Sequence, residues 1–203
     1  MKVLIVYYST YGHVYRMATL VAEGVEEIPG VQPVVRRVPE LIPPSVIDSR
    51  EDMKAGRELQ QHVPVVTLAD FREAGAIAFG TPTRFGNVSA QLKNQIDQLT
   101  SLWLKGELEG KPAGVFVSTS SLHGGQETTL LTLMAPLLHL GMILVGVPYS
   151  TPELFTTQGG GSPYGPGHVA GDDNQRPIDE QEAAICRALG RRLAAVGLKL
   201  QQT

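Results

Sequence analysis

The chain has 203 residues, 42% apolar and 18% charged, with a formal net charge of −3; this length predicts one domain over residues 1–203, and the apolar content excludes intrinsic disorder. The mild acidity argues against a protein built to coat nucleic acid, and the lone Cys186 excludes an intramolecular disulfide and a cysteine-built iron–sulfur or zinc centre. No apolar run reaches the roughly 18 residues of a membrane span, and Met1-Lys2 leads straight into a strand-like run instead of a signal peptide, so a cytoplasmic location is expected.

Val3 to Tyr8 is a continuous β-branched and aromatic run, which suits a strand buried on both faces of a parallel sheet. Ser9 to His13 break it, and Val14, Met17, Ala18, Val21, Ala22 and Val25 then recur at helical spacing. Pro29-Gly30 ends that helix, and Val31 to Val38 read as a second strand. Residues 39–66, with four prolines and a charged stretch, read as an inserted loop holding one short helix. A short helix at Asp70–Ala74 precedes a buried strand at Ala76–Gly80, and a helix is predicted over Ser89–Leu102. Lys111 to Ser118 form the next strand, a helix ends near His139 before the stop at Gly141, and Met142 to Val147 form a fifth strand. Residues 149–177 are a glycine- and proline-rich loop of unusual length for a compact domain, a feature usually tied to function. The last helix is predicted over Asp179–Leu198, with Cys186 a buried small residue on it; His62 and His168 carry no recognisable signal.

Alternation of this kind predicts a parallel sheet with helices on both faces. Ligands in such sheets sit beyond the carboxyl ends of the strands. Three loops fall there: Ser9–Val14, Thr81–Asn87 and Ser118–Gly125. The first offers two hydroxyls, Gly12 and a helix N-terminus without a lysine or arginine, and reads either as a cradle for a monophosphate or as an ordinary capped helix. The second, Gly80-Thr81-Pro82-Thr83-Arg84-Phe85-Gly86-Asn87, would present backbone amides and a ring to a flat ligand. The third again offers hydroxyls and glycines. A nucleotide P-loop, a Gly-x-Gly-x-x-Gly fingerprint, the aspartates of a receiver domain and the Gly-x-Ser-x-Gly elbow are all absent. On the residues alone, Trp103 reads as core packing, His13 as either a helix cap or a site residue, and His139 as either a helix-end histidine or a site residue.

Tyr7–Val14, Gly80–Asn87, Gly124–Glu127, Leu138–Met142, Glu153–Phe155 and Ser162–Gly165 resemble the motifs of flavodoxin-like, WrbA-type NAD(P)H:quinone oxidoreductases, and the resemblance runs over nearly the whole chain. It implies an α/β flavodoxin-like, doubly wound, five-stranded parallel sheet of order 2-1-3-4-5. It implies FMN bound without covalent attachment, NAD(P)H as reductant, quinones as two-electron acceptors at one flavin face in ping-pong fashion, and a homotetramer. Carried onto this chain, Ser9, Thr10, Tyr11, Gly12, His13 and Val14 would hold the FMN phosphate, and Pro82, Thr83, Arg84 and Phe85 the isoalloxazine. Thr119, Ser120, Ser121, Leu122, His123 and Gly124 would hold the ribityl and pyrimidine side. Tyr11 would also touch the nicotinamide nucleotide, Trp103 would wall the quinone pocket, and His139 would lie at the flavin, reaching a neighbouring subunit's site. No catalytic side chain and no metal is implied, because the flavin carries the chemistry. The chain departs from the family at Ser121 and His123, where glycines are usual. An electron carrier, or a regulatory partner-binding protein, is the competing reading; the weak net charge and the insertion speak against the carrier.

Overall fold

Along the first strand, Val3, Ile5 and Tyr7 enter one hydrophobic core while Leu4 and Val6 enter another, and all are fully buried. A strand apolar on both sides needs cover on both sides, and the fold supplies it. The computed structural model describes residues 1–201. In chain order the elements are β1 (Lys2–Tyr7), α1 (His13–Glu26), β2 (Gln32–Arg37), α2 (Pro44–Asp48), α3 (Glu51–Gln60), α4 (Leu68–Glu73), β3 (Ala76–Pro82), α5 (Ala90–Asp97), α6 (Thr100–Trp103), β4 (Pro112–Thr119), α7 (Gln126–His139), β5 (Ile143–Leu144), α8 (Glu153–Thr156), β6 (Gly167–Val169) and α9 (Glu180–Gln201). The sheet is parallel in the order β2-β1-β3-β4-β5, with β6 also paired to β4, which is the doubly wound order expected. Helices α1 and α9 cover one face, and α4, α5 and α7 the other. Among the described residues, no helix is long and apolar enough to cross a membrane.

The structure departs from the sequence reading in four places, one of them the predicted loop over residues 149–177, which holds α8 and β6. The predicted fifth strand over Met142–Val147 is only two residues long, and its lane along β4 is resumed by β6. Pro148, Pro152, Pro163 and Pro166 lie between the two pieces, and proline cannot donate to a ladder. Its backbone carbonyl can still accept: the Val117 N–H donates to Pro166 O at 3.0 Å, so the chain leaves the sheet and returns. Residues 39–66, read as a loop with one short helix, hold two helices, α2 and α3. The helix predicted over Ser89–Leu102 is divided into α5 and α6, because Leu99 and Leu102 donate to the carbonyls three residues back and tighten the chain there.

Candidate active site

The strands end in register, Tyr7 beside Gly80 and Pro82 beside Ser118, so the loops that follow β1, β3 and β4 emerge at one edge. They enclose a cleft. The first loop contributes Ser9, Thr10, Tyr11, His13 and Val14; the second Pro82, Thr83 and Arg84; the third Thr119 and Ser120. Ala170 and Asn174, from the segment after β6, close it.

Gly12 is the N-cap of α1 and sits at φ 91°, a left-handed conformation that a side chain would strain. Its N–H donates to Ser9 Oγ at 3.1 Å. No side chain caps the first turn of α1, so that turn presents its N–H groups, with the positive end of the helix dipole, to an anion. Ser9 and Thr10 are buried hydroxyl residues beside it. A cation reaches this loop from elsewhere: Arg84 Nη2 donates to Thr10 Oγ1 at 2.9 Å, and its Nη1 to Thr83 O at 2.9 Å. Neutral donors with one guanidinium suit a phosphate monoester held in place, not a phosphoryl group in transfer.

The loop is held from behind by the inserted helix α3. Buried Gln60 donates through Nε2 to Ser9 O and to Gly56 O, each at 2.8 Å. A Cβ on Gly56 would lie 2.3 Å from Thr10 O, so glycine permits the helix to touch the loop backbone. Sequence reasoning missed both residues, since nothing local marks a glycine or glutamine as facing a distant loop.

The second loop closes as a tight turn. Arg84 and Asn87 exchange backbone hydrogen bonds of 2.8 and 3.1 Å, with Phe85 at φ 53° and Gly86 at φ 75° between them. That is the primed-turn geometry that normally excludes a residue such as phenylalanine. Phe85 is nevertheless held there, its ring entirely exposed. Thr83 N–H donates to Ser118 O at 2.8 Å, and Thr83 Oγ1 pairs with Thr129 Oγ1 at 2.7 Å, which ties this loop to the third. Within the third loop, Thr119 Oγ1 donates to Ser121 O at 2.8 Å and Gly124 N–H to Ser121 O at 3.1 Å, while Gln126 Nε2 donates to Leu122 O. Ser121, Leu122 and His123 are exposed, and neither they nor Gly124 line the cleft. Tyr11 lines the cleft and carries the Arg50 guanidinium 5.7 Å above its ring.

Trp103 and His139 also stand away from the cleft. Trp103 is half-exposed at the end of α6. His139 ends the 14-residue α7, whose N-terminus adjoins the third loop. At ~1.5 Å per residue it lies about 20 Å from that end, well away from the cleft.

His13 lines the cleft, but both its ring nitrogens are engaged. Nε2 lies 3.0 Å from Asn174 O, and Nδ1 lies 3.1 Å from His168 Nε2. His168 and Glu182, both fully buried, meet at 2.9 Å, and Arg176 donates to both Glu182 oxygens. Asp179 and Glu182 form a reciprocal capping box at the start of α9: Glu182 N–H donates to Asp179 Oδ1 at 2.8 Å and Asp179 N–H to Glu182 Oε2 at 3.1 Å. Asp-x-x-Glu spacing is a local signal that could have marked this helix start; nothing local marks the role of His168. Burial, then the His168 charge, holds His13 below the ordinary histidine value. Burial pushes Glu182 up, but hydrogen bonds from His168, the Asp179 N–H and Arg176 outweigh it and leave the carboxyl below its ordinary value.

Comparison with known proteins agrees with this geometry. Residues 1–154 match the family described as NADPH-dependent FMN reductase. A Geobacter sulfurreducens protein named NAD(P)H dehydrogenase (quinone) is 47% identical, over 98% of this chain and 99% of its own length. A Solidesulfovibrio magneticus protein of the same name is 48% identical, over 99% of this chain and 100% of its own. The crystal structure of a flavodoxin, WrbA-like protein from Agrobacterium tumefaciens superposes with a TM-score of 0.65 at 25% identity, covering 98% of each chain. With the doubly wound sheet, the three converging loops and a match along the full length, the chain belongs to the NADPH-dependent FMN reductase family, and to its WrbA-like members.

Proposed function

We propose that this protein is an FMN-dependent enzyme that uses NAD(P)H to reduce quinones to hydroquinones, two electrons at a time. The observation that carries the reading is the uncapped, glycine-led N-terminus of α1 between the Ser9 and Thr10 hydroxyls and within reach of Arg84. These donors fit the FMN phosphate, and the relatives' names supply the substrate classes. Bound FMN supplies the redox chemistry. The chain's own residues bind and orient. Ser9–Val14 hold the phosphate; Thr119, Ser120, Ser121, Leu122, His123 and Gly124 flank the ribityl and pyrimidine side; Pro82, Thr83, Arg84 and Phe85 flank the ring. Tyr11 meets the nicotinamide nucleotide, and Trp103 walls the quinone side.

The second loop supports a two-electron enzyme over a carrier. A one-electron carrier benefits from a loop that can rotate a peptide beside the flavin. Here Pro82 fixes φ, Thr81 Oγ1 donates to Pro82 O at 2.8 Å, and Ser89 N–H donates to Thr81 Oγ1 at 3.0 Å. Nicotinamide and quinone then share one flavin face and alternate on it. His139 meets the cofactor of a neighbouring chain, and the working form is a homotetramer placed in the cytoplasm; a monomer in light scattering with FMN bound would refute that assembly. Stepwise anaerobic photoreduction of the FMN-loaded protein tests the electron count. Absorbance should pass from the oxidised to the fully reduced form directly. A long-wavelength one-electron species in the majority at half reduction would overturn the reading.

A further inference from the structure

Between the first loop and α9 runs an unbroken line of three hydrogen bonds: Asn174 O to His13 at 3.0 Å, His13 to His168 at 3.1 Å, and His168 to Glu182 at 2.9 Å. Both ends of the line are acceptors. A backbone carbonyl never donates. The Glu182 carboxylate is kept ionised by N–H groups of Gly160, Val169 and Asp179 and by the Arg176 guanidinium. Three bonds need three ring protons, and two neutral imidazoles carry only two. With two, one of the three short contacts would set acceptor against acceptor in a buried site, a cost of roughly 1–3 kcal/mol.

We infer that His13 and His168 together hold a third ring proton, and that this shared cation is a charge-pairing element of the cofactor's phosphate site, resting on His168 and passing to His13 when a phosphate monoester docks. The inference rests on the reading of Ser9–Val14 as the FMN phosphate loop. The step is balanced: the N–H bond at His168 Nε2 breaks, one forms at His13 Nδ1, and all three hydrogen bonds survive the shift. The charges around the pair agree. Asp179 and Glu182 against Arg176, whose Nη1 also lies 3.5 Å from His168 Nδ1, leave one negative charge on the His168 side of the pair. The other groups facing the pair are Arg16, next along α1, and Cys186, one turn beyond Glu182, whose thiol burial keeps neutral. The Glu182 carboxylate, 2.9 Å from His168 Nδ1, favours the positive charge on that ring and places the resting proton on His168. A phosphate dianion at the start of α1 reverses that order, because His13 is the ring that lines the cleft. The first loop, which has no cation of its own, thereby receives one from its inner side while Arg84 serves its outer side.

Protein labelled with ¹⁵N-histidine tests this directly by NMR of the ring nitrogens at pH 7. The apoprotein should show three ring protons on the pair. FMN should move the doubly protonated signature from His168 to His13, and riboflavin, which lacks the phosphate, should not. In Glu182→Gln the carboxamide can donate to His168, the third proton is no longer required, and the preference for FMN over riboflavin should fall on the order of tenfold. Two ring protons in the wild-type apoprotein would overturn the shared cation, as would identical patterns with FMN and riboflavin or an unchanged preference in Glu182→Gln. Those failures leave the phosphate loop standing if the wild type still prefers FMN. Equal affinity for FMN and riboflavin would overturn the loop reading itself, and the inference with it. The wild-type spectra decide the question even if the variant does not fold.

Discussion

Gly56→Ala sets two physical effects of opposite sign against each other. Gly56 lies inside α3, and replacing an interior helical glycine by alanine normally stabilises by ~1 kcal/mol. Here the added Cβ would stand 2.3 Å from Thr10 O and 2.8 Å from Tyr11 Cα. Both neighbours are backbone, so no rotamer change relieves the contact. Carbon–oxygen contacts settle near 3.3 Å, so α3 must retreat by about 1 Å. Overpacking of this kind costs about 1–3 kcal/mol. The retreat also stretches the 2.8 Å bonds from Gln60 to Ser9 O and Gly56 O. The net expectation is a destabilisation of about 1–2 kcal/mol, a fall of roughly 2–8 °C in the apoprotein melting temperature for a chain of this size. Because the displaced backbone belongs to the phosphate loop, FMN affinity in a fluorescence titration should drop roughly tenfold as well. A variant that melts higher than wild type and binds FMN unchanged would refute the packing of α3 against that loop.

Ser9→Ala combined with Thr10→Ala should weaken FMN by at least roughly tenfold, since each lost bond to a charged group is worth ~1.5–3 kcal/mol, and should leave the apoprotein folded by circular dichroism; unchanged affinity in fluorescence titration would remove the phosphate from this loop. Acid unfolding should report Glu182: its carboxyl is below the ordinary value in the folded protein, so its stabilisation is complete above the unfolded value of about 4.3 and drains as pH falls through the lower folded value. Urea midpoints for wild type and Glu182→Gln should therefore converge as pH falls through that window, and a constant difference between them would contradict the assignment.

Much of the architecture was legible because β1, β3 and β4 are buried on both faces and spell unbroken apolar runs. The fifth lane of the sheet was not, because β5 and β6 are two and three residues long and lie far apart in the chain. Only their pairing with β4 makes them strands, and that pairing leaves no local pattern. The same distinction governs the site. Hydroxyls and glycines at strand ends mark the loops, since local backbone needs select them. What spans them is long-range: Arg84 reaches Thr10 across 74 positions, Gln60 reaches Ser9 across 51, and His168 reaches His13 across 155. A lone histidine in a glycine-rich stretch carries no sign of its partner, and His168 became meaningful only once β6 set it beside α1.

The most direct test of the account is steady-state oxidation of NADH and NADPH by the FMN-loaded protein, with and without benzoquinone. The account predicts rapid, quinone-dependent oxidation with one hydroquinone formed per nicotinamide consumed, and parallel double-reciprocal lines as quinone is varied. Fully FMN-loaded protein that oxidises neither nucleotide when quinone is added would contradict it.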